Sequence, residues 1–325
     1  MTQLPLQSNA DSRGAPRLVR SGYTIPVVPP FRLDLTVSAL RRLPTNPIDV
    51  ITPDGRYLHA MPAVHHPAIV HVRQSGAAEL EVTIDADPLD ENDHPRIISV
   101  IARSLGVDRD LTEFYGAASA LPWLHPLAIQ FRGLKPPRYR TLWEALVNAV
   151  VYQQVSLHAA SAVVKRIIQA FGTPLESEGA PVHLFPGAEQ VLAASDDELR
   201  GLGLSAGKLA TLRRAADAIA AGTLASDSLE HLPSAEAAAR LRSIKGIGPW
   251  TATVILLRGF GRLDVFPMND SGVASNLSLA SGSAAADLES ILGALGAQKG
   301  MLYFHLLLAR LATRGKVGLP SIPPG

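Results

Sequence analysis

IKGIGPWTATVILLRGFGRLDVFPMND, residues 244–270, decides how this chain is read. Gly246 and Gly248 stand one residue apart at the end of a helical run, SAEAAARLRSI (234–244), and Pro249 follows them. Glycine reaches positive φ without a steric penalty and lets a neighbour approach the backbone closely. Proline suits the first turn of a helix, where its missing N–H costs nothing. The segment predicts two helices joined by a hairpin over about 234–259, with Ser234 capping the first. Unpaired amides at the second N-terminus, aided by the helix dipole, make an anion site. A phosphodiester is the obvious anion, and such a contact reads no base sequence. Taken alone, a Gly-x-Gly corner is more often a purely structural turn.

The carboxylate downstream changes that balance. Asp270 lies 20 residues beyond Trp250, past a helix of about 250–259 and the connection GFGRLDVFPMN. Pro267 and Asn269 oppose a helix in that connection, so Asp270 is expected to cap a helix beginning near 271. The neighbouring Asp264 reads as structural.

Working outward, everything beyond about 113 has helical texture. LWEALVNAVVYQQVSLHAASAVVKRIIQAFG (142–172) holds two helical patterns, the second closed by Gly172. AEQVLAAS (188–195), DDELRGLG (196–203) and SAGKLATLRRAADAIAAG (205–222) continue it, and GMLYFHLLLARLATRG (300–315) is the last long helix. Short connections between helices predict an all-α bundle over 113–318. Upstream, FRLDLTV (31–37), AIVHVRQ (68–74) and LEVTIDA (80–86) alternate apolar and polar residues, which predicts strands. HPRIISVIARSLG (94–106) predicts a helix stopped by its glycine. Residues 21–112 therefore read as a small antiparallel α+β domain. Residues 1–20 read as a flexible tail, and LPSIPPG (319–325) as a second one.

The totals narrow the class. Across 325 residues there are no cysteines, which excludes disulfides, thiolate metal sites and iron–sulfur clusters. No apolar run reaches the roughly 18 residues that span a bilayer, and the first residues lack the apolar core of a secretory signal. A cytoplasmic protein without membrane association is expected. Net charge is only +1, but residues 1–115 hold 11 Lys+Arg against 14 Asp+Glu, whereas residues 116–325 hold 19 against 15. A nucleic acid would therefore bind the second part, with backbone amides supplementing a modest basic field.

LRSIKGIGPWTA followed by DVFPMND resembles the helix-hairpin-helix, Gly/Pro-rich loop and aspartate signature of the base-excision DNA glycosylases. Within that superfamily the chain is most similar to the 3-methyladenine-DNA glycosylase II family. LVNAVVYQQVS and GLGLSAGKLATLRRAADAI resemble further helices of the family, so the likeness covers about 139–315 well and the N-terminal part more weakly.

The resemblance implies roles residue by residue. Asp270 falls on the catalytic carboxylate, which supports the oxocarbenium-like charge that grows as the base leaves. Trp250 stands where the bifunctional branch carries a Schiff-base lysine, and an indole forms no imine, so a monofunctional enzyme is implied. Trp250 also lines the base pocket as a cation–π partner, with Tyr152, or else packs as core behind the hairpin. The amides of Gly246, Gly248 and Thr251 match the phosphate-binding hairpin, with Lys245 either adding charge there or simply solvated. Hairpin carbonyls in the family hold a monovalent cation, so sodium or potassium is a candidate ligand, with no side-chain metal site and no required cofactor. Gln154 aligns with the wedge that fills the gap left by a flipped base, although QQVS reads equally as a polar turn. Lys208 is either a phosphate contact or a surface lysine. Departures appear at Val254 and Leu307, where the family prototype has aromatic pocket residues; Tyr303, Phe304 and Tyr152 either compensate or pack in the core.

The expected function is excision of alkylated purines, 3-methyladenine or 7-methylguanine, from damaged duplex DNA by a monomer. The rivals are a non-catalytic DNA-binding helix-hairpin-helix module, or a glycosylase for hypoxanthine, uracil or 8-oxoguanine. GLGLSAGKL (201–209) fails as a phosphate loop, because Leu202 and Leu209 occupy its glycine and hydroxyl positions. HAMPAVHH (59–66) holds three histidines without a carboxylate cluster, so no metal is expected there, and His183 and His305 read as structural.

Overall fold

The computed structural model describes residues 19–86, 90–177, 180–282 and 287–317. The N-terminal part is a five-stranded antiparallel sheet in the order β1-β5-β4-β3-β2, built from β1 (Val19–Pro26), β2 (Val50–Ile51), β3 (Tyr57–Met61), β4 (Ala68–Gln74) and β5 (Glu79–Ala86). Helix α1 (Leu33–Arg41) runs between β1 and β2, and α2 (Asp93–Leu105) lays Ile97, Ile101 and Leu105 against the sheet. The two β-patterns at 68–74 and 80–86 pair with each other in register, Ile69 opposite Asp85 and Gln74 opposite Leu80.

FRLDLTV does not form a strand. It opens α1, and the reason is burial against more than one partner. Leu33 and Val37 pack on the sheet, Leu35 and Ala39 join the core of the C-terminal helices, and Leu40 joins a third cluster. With Thr36 and Ser38 buried as well, burial in α1 is not confined to one apolar stripe, which obscures the period of 3.6. Strand β1 starts at Val19, within the stretch read as a tail; residues 1–18 and the tail at 319–325 lie outside the described residues.

The rest is helical: α3 (Thr112–Ser119), α4 (Leu124–Gln130), α5 (Leu142–Val151), α6 (Leu157–Phe171), α7 (Ala188–Leu192), α8 (Asp196–Gly201), α9 (Ala206–Ala220), α10 (Ser226–His231), α11 (Ser234–Arg242), α12 (Pro249–Gly259), α13 (Ser271–Ser281), α14 (Leu288–Leu295) and α15 (Gly300–Thr313). One departure from an all-α reading is a two-stranded ribbon, Pro174–Leu175 with Val182–His183. Val182 packs with Ala60 and Ile69 of the sheet, so this ribbon tethers the bundle to the N-terminal layer. Another departure is at Ser234: Pro233 holds the N-cap and Ser234 is already helical, its hydroxyl accepting from Arg262 Nη1 instead.

Buried charges lock the two parts together. Arg140, just before α5, donates to Asp49 of the sheet layer at 2.7 Å and pairs with Glu144 one turn on. Burial alone would raise Asp49, but Arg140 and His59 hold its carboxyl below the usual range. Burial pushes Glu144 up to about 7. At the same seam Arg258 of α12 donates to the Ala39 and Leu40 carbonyls at 2.9 Å, ending α1. No single described helix is long and apolar enough to cross a membrane.

Candidate active site

The hairpin forms where glycine was required. Gly246 takes φ 103°, and a Cβ there would lie 1.9 Å from Thr211 Oγ1 on α9, so the turn is pressed against that helix. Gly248 is the N-cap of α12, and the space where its Cβ would stand is open. With Pro249 at N1, the amides of Gly248 and Thr251 belong to the first turn, which leaves them without an intrahelical acceptor at a dipole-positive helix end that lines the cleft. Lys245 is exposed beside them.

Helix α12 is then buried along Thr251, Ala252 and Val254–Arg258, between α5 and α11. The connection to α13 is pinned by buried Leu263 and Phe266, and the Leu263 carbonyl accepts from Gly300 N. Asn269 reverses the chain at φ 59°, a conformation that asparagine tolerates better than most residues. Asp270 follows as the N-cap of α13, its Oδ1 accepting from Val273 N at 3.0 Å. Its Oδ2 accepts from the indole Nε1 of Trp250 at 2.8 Å. Both carboxylate oxygens are engaged, so the rotamer is fixed, while each oxygen keeps a further lone pair.

Asp270 and Trp250 line a cleft of 1030 Å³ together with Gly246, Gly248, Tyr152 and Gln154. These residues singled out in the sequence thus converge on one place, although seven helices lie between Tyr152 and Asp270 along the chain. Residues 147–290 match the HhH-GPD superfamily of base excision DNA repair proteins. That segment, which holds the hairpin and Asp270, carries the likeness.

Among similar proteins, a DNA-3-methyladenine glycosylase of Bacillus subtilis is 30% identical over 195 residues, which is 60% of this chain and 64% of that protein. The chain spans less than two thirds of the length of the curated relatives it matches. In fold, a 3-methyladenine DNA-glycosylase from Archaeoglobus fulgidus superposes with TM-score 0.71 at 24% identity, covering 89% of this chain and 99% of its own. An 8-oxoguanine glycosylase/lyase of Clostridium acetobutylicum, solved with double-stranded DNA, gives 0.68 at 17% identity, covering 92% and 98%. At such identities the shared property is the fold.

The cleft sorts the remaining candidates. Gln154 sits in the turn between α5 and α6 at φ 55°, exposed beside exposed Val155. Leu307 lines the cleft, as does Tyr303. Val254 and Phe304 do not: both are buried in the packing of their own helices. Lys208 Nζ donates to the Val151 carbonyl at 2.8 Å and so ends α5 rather than reaching outward. Asp264 is exposed and outside the cleft. His59 is buried against Asp49 and the Ile48 carbonyl, and among the described residues no cluster fit for a metal occurs.

Several site residues carried no readable signal. Gln153 donates to the Gly246 carbonyl at 3.0 Å and to Thr251 Oγ1 at 2.7 Å, bracketing the α5–α6 turn to the hairpin 93 and 98 residues away. Only its adjacency to Gln154 hinted at it. Arg310 and Arg314 of the α15 end line the opposite stretch of the cleft, with Arg314 3.4 Å from His158. Arg42, from the end of α1, lines it too.

Proposed function

We propose that this chain is a monofunctional DNA glycosylase that releases alkylated purines, such as 3-methyladenine or 7-methylguanine, from duplex DNA and leaves an intact abasic site. The observation that carries this reading is the Asp270 carboxylate, held by the Trp250 N–H beside a hairpin whose free amides suit a phosphate. The hairpin grips the backbone through Gly246, Gly248 and Thr251, with Lys245 adding charge. Gln154, at the tip of its turn, fills the space left in the stack when the target nucleotide swings into the cleft. The base stacks among Trp250, Tyr152 and Tyr303, all cleft-lining aromatics.

Chemistry follows from charge. As the N-glycosidic bond lengthens, positive charge grows on the sugar, and the oriented Asp270 carboxylate stabilises it and guides water to C1′. N-alkylated purines already carry positive charge, so they leave as neutral bases without needing a second acid. Trp250 offers no amine, so no imine links enzyme to sugar and the strand stays uncut. A monovalent cation at the hairpin belongs to the same proposal. The Lys245 carbonyl already accepts from Arg214 and the Gly246 carbonyl from Gln153, so the ion would rest on the other backbone oxygens of the turn.

The test is base release from duplex DNA carrying 7-methylguanine, comparing wild type with Asp270→Asn. Asparagine still caps Val273, so the variant should fold and bind DNA while release falls by at least about a thousandfold. Strands should break only after alkali. Equal release by the variant would sink the mechanism, and binding without any release by the wild type would favour a non-catalytic module.

A further inference from the structure

Arg42 is an arginine that the proposed mechanism leaves unused. It occupies the C-cap of α1 at φ 61° and is 4% exposed, yet it lines the same cleft as Asp270 and Trp250. Its guanidinium carbon lies 3.8 Å from the centroid of the Tyr152 ring, and Nη2 lies 3.4 Å from the Tyr303 hydroxyl. Among the described residues no carboxylate pairs with it, and Nε and Nη1 have no hydrogen-bond partner. Burial would lower its pKa, but the phenols of Tyr139, Tyr152 and Tyr303 hold it above the ordinary value. The result is a permanent cation without a counter-ion, set against the aromatic wall of the cleft. Such a charge is costly to bury, and unpaired buried charge beside a reaction site is a mark of functional use.

Resting on the glycosylase reading, we propose that Arg42 is a specificity-determining residue whose charge favours neutral bases that leave as anions, such as a 6-oxopurine, over cationic N-alkylpurines. In either case the bond between C1′ and the ring nitrogen breaks with its electron pair going to the base. A neutral base departs as an anion, which Arg42 attracts; water adds to C1′ and its proton neutralises the base through solvent. A cationic base departs neutral, but the positive charge still on it at the transition state repels Arg42, which raises that state relative to free enzyme and DNA. The effect on the two classes therefore has opposite sign.

The experiment is single-turnover release at subsaturating enzyme, which reads kcat/KM, from duplexes that carry one hypoxanthine or one 7-methylguanine, with wild type, Arg42→Gln and Arg42→Lys. Arg42→Gln should lower hypoxanthine release about tenfold or more and raise 7-methylguanine release, whereas Arg42→Lys, which keeps the charge, should preserve the wild-type order. Equal losses on both bases, as mere loosening of Tyr152 would give, overturn the inference. So does a wild type that releases 7-methylguanine but no hypoxanthine, an outcome that leaves the glycosylase reading standing. Release of neither base overturns that reading and the inference with it. Should the Gln variant not fold, a fall in the ratio of hypoxanthine to 7-methylguanine release in Arg42→Lys overturns the inference, and retention of the wild-type ratio supports it.

Discussion

The indole nitrogen of Trp250 and Oδ2 of Asp270 are joined at 2.8 Å although 20 residues separate them. One residue belongs to the first turn of α12 and the other caps α13, so this single bond fixes the angle at which the carboxylate faces the cleft. Trp250→Phe keeps most of the ring and deletes the donor. Base release in a single turnover should slow about tenfold to a hundredfold, with DNA affinity altered less than about threefold. An unchanged rate would mean that Val273 N alone orients Asp270.

Gln153 joins two elements of the cleft wall through one amide group. Gln153→Ala leaves Thr251 Oγ1 and the Gly246 carbonyl without that donor and frees the Gln154 turn from the hairpin. Two hydrogen bonds of about 1 kcal/mol each are lost. Affinity for an abasic-site duplex, measured by fluorescence anisotropy, should weaken about tenfold. Full affinity in the variant would show that the turn and the hairpin are positioned independently.

At Gly246 the reason for glycine is doubled, by φ 103° and by Thr211. Gly246→Ala should cost roughly 2–4 kcal/mol in urea unfolding, more than a helix-interior Gly/Ala exchange ever does. Adding Thr211→Ala should recover part of the loss, because the steric conflict eases while the backbone strain stays. Complete recovery would assign the whole cost to crowding.

His305 gives the pH dependence a definite sign. It is fully buried beside Phe114 with Nδ1 at the Met301 carbonyl, and burial pushes it down to about 4 from 6.5. Between those values the unfolded chain binds a proton that the folded chain refuses, so stability falls as pH drops from about 6.5 towards 4. The full window is worth on the order of 3 kcal/mol. His305→Leu also removes the unpartnered Nε2. Its unfolding free energy should decline more gently over that pH range than that of wild type, and parallel curves would refute the assignment.

Much of this was legible in residue order. The hairpin announced itself because positive φ and a dispensable N–H restrict two positions to glycine and proline, and α12 and the Asp270 cap followed from local rules. Alternation at 68–74 and 80–86 marked real strands because one side of each faces the sheet's core. The same alternation misled at FRLDLTV, where α1 packs against both the sheet and the helices, so its apolar residues are spread over more than one face. The ribbon at 174–183 was equally hidden: two-residue strands are too short to show a period.

By itself, then, the sequence determined what depends on neighbours in the chain: the Gly-x-Gly-Pro corner, the helices it joins, and the carboxylate that caps α13. Only the tertiary structure decided which side chains meet. Gln153 reaches the hairpin, Trp250 holds Asp270, and Arg42 comes from the N-terminal layer to stand under Tyr152 without a counter-ion. The physical reason is that backbone preferences act over a few residues, whereas hydrogen bonds and charge act over a few ångströms, and packing alone brings positions 42, 152, 250 and 270 within one cleft.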